Sequence, residues 1–294
     1  EPIKAAIIIF FAYYVSYWGL NRWYNQLLAC LLAIALLGFL FFFSNNLSTV
    51  IVLFCICAVI ILSSVKKPDL YWYFLLGLAL IIIAAIFVTV YLLMHQGAEN
   101  FRFVRIRAWL HPEEYAADEG LQAMQARYAI GAGGFWGKGL GQSLIKFKLS
   151  YSYNDFILAI ICEELGVFGV IVMMTLFGYL LYRIYKIAQN AWDIEGKVLA
   201  IGVFTQIALQ LLINVMVVTS VIPTTGVTLP FFSAGGTSVV FLLAELGMVL
   251  NVDKYAKERR FFEEAERHVD QMEQRGGIGA AGWRRRLDSA RTRR

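Results

Sequence analysis

The sequence predicts an all-α, polytopic transmembrane protein, and three observations carry that prediction. Hydrophobic residues make up 59% of the chain and charged residues 16%, with a mean hydropathy of +0.63. An average soluble domain is about 45–50% apolar and about 25% charged. The apolar residues fall into seven long runs of near membrane-spanning length, which for a helix is about 20 residues. The charges cluster between these runs, in a stretch from Arg102 to Lys148 and in a tail after Asn251. A water-soluble globule of 294 residues cannot hide this apolar excess and would expose an aggregating surface. A soluble enzyme, a secreted disulfide scaffold and a disordered regulator are excluded.

The runs place spans at Ile3–Trp18, Leu27–Phe43, Leu47–Ser63, Tyr71–Met94, Phe156–Tyr182, Val198–Val218 and Thr237–Val252. The first is short, begins almost at Glu1 and has no Met before it, which predicts further sequence upstream. The fifth exceeds the bilayer thickness and is expected to tilt or project. Aromatic residues at the span ends, such as Tyr17, Trp18, Tyr71 and Tyr182, read as interfacial anchors. The four cysteines lie in apolar runs, where Cys packs as a small hydrophobe, and they suggest no metal or disulfide framework.

Short loops set the orientation. Arg22, then Lys66 and Lys67, then Arg183, Lys186 and Lys197, and finally the basic tail fall on alternate connections. The opposite set, Ser44–Asn46 and Thr219–Gly236, has neither Lys nor Arg. The first set is therefore expected to be cytoplasmic, with the C-terminus inside. The chain divides into a membrane domain, 1–252, and a basic tail, 253–294, with a helical, mixed-charge beginning and then Gly276, Gly277 and Gly279 before a basic end, expected to be solvated and partly disordered. Acids such as Glu258, Glu263, Glu264 and Glu266 alternate with the basic residues of that tail, which favours membrane-surface or protein contact over nucleic acid.

The loop at residues 95–155 lies outside on this topology yet carries Arg102, Arg105, Arg107, Lys138 and Lys146. Loops this long escape the positive-inside rule and are usually functional. Within it, Ile130–Ser143 reads IGAGGFWGKGLGQS, with six glycines. Such a segment either turns its amides on an anion, as backbone nests do, or forms a turn region packed on the membrane. It departs from a Walker A loop at Ala132 and Gly139.

Asp155 opens the fifth span and faces this cationic loop, as a helix cap or as a reactive carboxylate. Glu163 lies about 12 Å further along the helix axis, with Glu164 beside it. Acids at membrane depth are functional candidates, or partners in interhelical hydrogen bonds and ion pairs. The last loop, VIPTTGVTLPFFSAGGTS, is too rich in Pro and Gly for regular helix and must line a cavity or be buried, with Asn214 and Glu245 flanking it. Many cations, few acids and a lipidic setting suit an anionic amphiphile such as a lipid diphosphate. An enzyme or a transporter of such a lipid fits equally.

These segments resemble the signatures of the SEDS family of membrane proteins (FtsW, RodA, SpoVE). The resemblance rests on Gly131–Ser143 with Lys146, on Asp155–Gly169 (DFILAIICEELGVFG), on the basic Arg102–Pro112 stretch, and on Asn214, Pro223, Gly226, Leu229–Phe231, Ser233 and Gly235–Ser238. It departs from the family pattern at Lys4, usually Glu, at Tyr151–Asn154 and at Ala234. The resemblance implies a ten-helix fold with its first three helices absent here. It implies a peptidoglycan glycosyltransferase that polymerises lipid II, with Asp155 as catalytic base. Lys138, Lys146, Arg102, Arg105 and Arg107 would hold the diphosphate, and Ser143, Asn214, Ser233 and Ser238 would complete the substrate cleft. A divalent cation, Mg or Mn, is a possible cofactor on this reading, and a class B penicillin-binding protein the expected partner, with other division or elongation proteins. The PT-x-G-x-TLPF pattern is similar to the division and sporulation branch. The competing classes are a lipid II flippase and a non-catalytic scaffold.

Overall fold

The computed structural model describes residues 1–20, 22–43, 47–64, 108–110, 114, 119–144, 155–232, 236–274 and 280–292. Within them the regular structure is helical: α1 (Pro2–Trp18), α2 (Trp23–Phe43), α3 (Leu47–Ser64), α4 (Glu119–Gly133), α5 (Ile157–Asn190), α6 (Ile194–Val218), α7 (Gly236–Gln274) and α8 (Ala280–Thr292). Four segments are long and apolar enough to cross a membrane: Tyr24–Phe41, Ile157–Asn190, Ile194–Val218 and Gly236–Gln274. Pro2–Trp18 and Ser48–Ser64 are shorter apolar helices. The chain is a multi-pass membrane protein. Six of the seven predicted spans therefore recur as helices, and the span at Tyr71–Met94 lies outside the described residues.

Helix α6 is the hub and packs against α1, α3, α5 and α7. Gly202 lets α1 and α3 close on it: a Cβ there would stand 2.7 Å from Ile8 and 3.3 Å from Ile60. Ile8, Phe11, Ile56, Ile60, Val203 and Ile207 fill the resulting core, each fully buried. Exposed Val172, Leu176 and Tyr179 on α5 show the opposite pattern, apolar side chains turned outward as lipid requires. The turn from α1 to α2 is tied by side-chain amides. Asn25 Nδ2 donates to the carbonyls of Trp18 (2.8 Å) and Gly19 (3.0 Å), and Gln26 Nε2 donates to that of Leu20 (2.5 Å). These bonds satisfy carbonyls that the end of α1 leaves without intrahelical donors.

Two elements differ from the sequence expectation. The fifth span is not one continuous tilted rod, because Gly166 has φ 67° and ψ −171° and breaks α5 into residues 157–165 and 167–190. The seventh continues unbroken into the helical beginning expected of the tail and runs as far as Gln274, with pairs such as Lys257 and Asp253 (2.5 Å) one turn apart. The end of the tail is also helical: α8 folds back on α7, with Arg284 bonded to Asp270 and to Glu273 (2.9 Å).

Candidate functional site

The break at Gly166 is filled by the glycine-rich segment. A broken helix leaves carbonyls and amides without partners, and at membrane depth these must be satisfied by protein. The amides of Lys138 and Gly139 donate to the carbonyls of Glu163 and Glu164, both at 2.9 Å. In return the amides of Val167 and Phe168 donate to the carbonyls of Gly134 (3.1 Å) and Phe135 (3.2 Å). The two strands of backbone lie so close that a side chain has no room. A Cβ on Gly137 would stand 2.2 Å from the Glu164 carbonyl oxygen, and one on Gly166 would stand 2.4 Å from Gly137 N. These glycines permit a backbone splice. The amides of Lys138 and Gly139 are spent on it, which corrects the reading of them as part of an anion nest.

A side-chain clamp reinforces the splice. The Glu163 carboxylate is fully buried and accepts from Lys138 Nζ (2.7 Å), Ser143 Oγ (2.5 Å) and Leu144 N (3.3 Å). Charge-assisted bonds of this kind are roughly twice as strong as neutral ones. The ammonium of Lys138, expected at a diphosphate, pairs with Glu163, and the side chain keeps 31% exposure. Of the two acids at depth, Glu163 has the role of ion-pair partner, and Glu164 is half-buried beside it.

The other end of the half-helix carries Asp155. Phe156, buried at 1%, takes the capping position of α5, with φ −109° and ψ 18°. Asp155 therefore precedes the cap, and the interchangeability of Asp and Asn at true N-caps does not extend to it by position. Asn214, fully buried on α6, donates from Nδ2 to the carbonyls of Asp155 (2.9 Å) and Val227 (3.0 Å). One amide thus ties the carboxylate's backbone to the last loop, between α6 and α7 (residues 219–235), the closing segment of the site. Gly226 (φ 70°) lies alongside, and a Cβ there would be 3.6 Å from Asp155 Oδ2. The closing segment is anchored elsewhere by Trp109 Nε1 and Arg127 Nε, which donate to the Ser220 carbonyl (2.9 Å) and hydroxyl (3.0 Å). Its far end rests on α5 through Phe177, whose ring centroid is 6.4 Å from Phe231 and 6.0 Å from Phe232. Phe231 has φ 65°, a strained value for a bulky residue.

The structure thus joins Asp155, Asn214 and the closing segment at one end of residues 157–165, and Lys138, Ser143 and Glu163 at the other. Ser238 sits half-buried in the first turn of α7. Arg102, Arg105, Arg107, Lys146 and Ser233 lie outside the described residues. Sequence reasoning missed the polar edge of α6 at Gln206 and Gln210, although their spacing of four, continued by Asn214, is visible in the sequence.

The chain is similar to several known proteins. Over 158 residues it is 45% identical to stage V sporulation protein E of Bacillus subtilis, covering 53% of this chain and 43% of that protein. It is 40% identical over 182 residues to the probable peptidoglycan glycosyltransferase FtsW of the same organism, covering 62% and 44%. In both, the match spans less than half of the relative's length. Two solved structures share the fold. One is a chain from a peptidoglycan synthase complex that coordinates polymerization and crosslinking (TM-score 0.67, 24% identity, 85% of this chain and 68% of that one). The other is the rod shape determining protein RodA of Thermus thermophilus (TM-score 0.56, 22% identity, 85% and 63%). The family profile described as cell cycle protein, FtsW/RodA/SpoVE, matches residues 1–258, and the chain belongs to that family.

Proposed function

We propose that this chain carries the catalytic part of a peptidoglycan glycosyltransferase that polymerises lipid II at the outer face of the cytoplasmic membrane. The observation that carries the reading is the Asp155 carboxylate, held by its backbone against the closing segment through Asn214. Relatives named as probable peptidoglycan glycosyltransferases support the chemistry. Glycosyl transfer with inversion requires a base for the acceptor hydroxyl and charge stabilisation for the departing diphosphate. Asp155 takes the hydroxyl proton as the oxygen attacks the anomeric carbon, and the bond to the diphosphate breaks.

Lys146 and the cluster of Arg102, Arg105 and Arg107 meet the negative charge on the leaving group. Arg does this with a bidentate fork and Lys as a point charge. Lys138 acts indirectly, through the Glu163 clamp that fixes Leu144 two residues before Lys146. Ser233 and Ser238 offer hydroxyls to the substrate cleft, whereas the buried Ser143 hydroxyl donates to Glu163 and serves the clamp. Among the described residues no group of three or more His, Cys, Asp or Glu side chains could hold a metal. A Mg or Mn ion bound by the Asp155 carboxylate and the substrate's own phosphates is the form this donor set allows, and it would supply charge neutralisation.

The charge pattern of the short loops supports an outer site and a cytoplasmic tail. The partner on this reading is a single-span class B penicillin-binding protein that cross-links the product. The testing experiment uses protein expressed from its complete gene with that partner, purified lipid II, and a gel for glycan polymer. Asp155→Asn keeps size and hydrogen bonding but cannot accept the proton. Synthesis should fall by about 10²–10⁴-fold. Near-normal polymer from folded Asp155→Asn protein would remove the base, and lipid movement without polymer in the unaltered protein would indicate a flippase.

A further inference from the structure

A groove runs along α5, starting on the half-helix that follows Asp155. Met173 and Phe177, both buried, form its floor. Leu165, Val172 and Leu176 form one side, all three exposed, with Gly169 adding no side chain between the first two. Phe231 and Phe232 of the last loop form the other side, their ring centroids 6.4 and 6.0 Å from that of Phe177. The groove encloses about 330 Å³ and no polar residue lines it. Sites for small ligands enclose about 300–1,000 Å³.

A lipid chain gains nothing hydrophobic by moving from one apolar surface to another. A concave surface with fixed walls differs, because a chain lying in it touches protein on several sides and gains dispersion contacts. One wall here is strained. Phe231 follows Pro230 and has φ 65°, the sign of torsion that a type II turn demands after proline and that Gly or Asn normally supplies. Glycine would relieve the strain but remove the ring from the groove. Strained residues of this kind cluster at active sites and ligand clamps.

Two elements connect the groove to the candidate site. Ile161, at its near end, is six residues from Asp155, about two turns of helix. On the other side, the last loop passes from Gly226, where a Cβ would be 3.6 Å from Asp155 Oδ2, to Phe231. Those five residues span at most about 18 Å. The half-helix and the last loop therefore border both the carboxylate and the groove. Beyond the break, the groove follows α5 from Gly169 to Leu180, about 16 Å and half of a hydrocarbon layer of about 30 Å. A chain lying in it leads out beside Asp155.

We propose that this groove seats the polyprenyl chain of a lipid diphosphate whose head lies at Asp155. The proposal rests on the reading of the Asp155 site as one for a lipid-linked substrate, and adds the course of the chain. Seating the chain fixes the axis along which the diphosphate meets the carboxylate, so contacts remote from the reaction orient the reacting end. No bond is made or broken in the groove.

Photocrosslinking of the protein from its complete gene, in phosphatidylglycerol nanodiscs, tests this with two probes. Both are long-chain polyprenyl diphosphates carrying a diazirine, one at the first isoprene unit and one at the fourth. The first-unit probe should label residues 157–165 or the last loop near Gly226. The fourth-unit probe should label residues 169–180, Phe231 or Phe232, and excess untagged polyprenyl diphosphate should remove both labels. Val172→Trp and Leu176→Trp add bulk from the exposed side of the groove. In whichever variant keeps the unaltered thermal unfolding profile, groove labelling should fall at least tenfold and first-unit labelling should stay within threefold. Labelling near Asp155 by the first probe, with the fourth-unit label scattered elsewhere, would overturn the groove and leave the lipid site standing. Specific labelling by neither probe would overturn both. Phosphatidylglycerol with a tagged acyl chain that marks the groove equally, despite excess polyprenyl diphosphate, would assign it to ordinary lipid. Loss of the groove label on adding the single-span partner would assign it to that helix, and either result overturns the proposal. So would unchanged groove labelling in a folded Trp variant.

Discussion

Lys138→Met should loosen the splice at Gly166 without unfolding the membrane domain. The change leaves the Glu163 carboxylate buried, with Ser143 Oγ and Leu144 N but no cation. Removing one partner of a buried pair costs about 3–5 kcal/mol. The Lys138 side chain is 31% exposed, so water screens part of the pair and about 2–3 kcal/mol is the better figure. At about 1.4 kcal/mol per factor of ten, opening of the splice should become roughly 30–150-fold more frequent. Hydrogen exchange reads this directly. The amides of Lys138, Gly139, Val167 and Phe168 cross the splice and should lose protection by that factor, while amides of α6 keep theirs. Glu163→Gln removes the charge while its amide oxygen can still accept from Leu144 N and its NH2 can donate to Ser143 Oγ, so adding Lys138→Met to it should cost little more. Protection within threefold of the unaltered protein in Lys138→Met would refute the clamp, as would full additivity of the two changes.

Gly137→Ala should abolish folding or activity, because the new Cβ meets the Glu164 carbonyl oxygen at 2.2 Å. Gly131→Ala, with open space around it in α4, should be neutral or slightly stabilising, and thermal unfolding of the pair distinguishes them. For topology, Ser143 is buried and makes a poor reporter. Cysteine at exposed Gln142 should instead react with an impermeant reagent outside intact cells, while cysteine at exposed Arg22 should not; the reverse would invert the orientation. Lys146→Ala and Arg105→Ala should each weaken substrate engagement by about 1.5–3 kcal/mol. Activity would remain measurable, and unchanged kinetics in both would remove these cations from the site.

The spans were legible because lipid demands contiguous apolar helix, a requirement that leaves little to tertiary context. Gly166 escaped notice for the same reason: a lone glycine in an apolar run is tolerated in membrane helices, and nothing local marks it as a break. The glycine-rich segment was recognised as special but its use was not. Glycine permits both close ligand approach and close backbone packing, and the choice depends on a partner 25 residues away, as in Lys138 with Glu163. Asp155 and Asn214 were both singled out, yet the bond between them depends on how α6 meets α5. The end of the tail reads as solvated because the fold-back of α8, and its pairing with α7, are not implied by composition.

The break in α5 gives the candidate base a mounting that an unbroken span would lack. In a continuous helix of 34 residues the position of Asp155 would follow the tilt of the whole rod, which bilayer thickness and neighbouring helices set. With Gly166 interrupting it, residues 157–165 form a short rigid piece held at both ends. Asn214 ties the Asp155 carbonyl to the closing segment, and the Glu163 clamp ties the other end to the glycine-rich loop. The two anchors lie about 12 Å apart along the axis, and each reaches a different wall of the site. A reacting group has to be placed to within about 0.5 Å. Two anchored ends on a half-helix meet that demand, while residues 167–190 pack into the core through Phe177, Ile184 and Ala188.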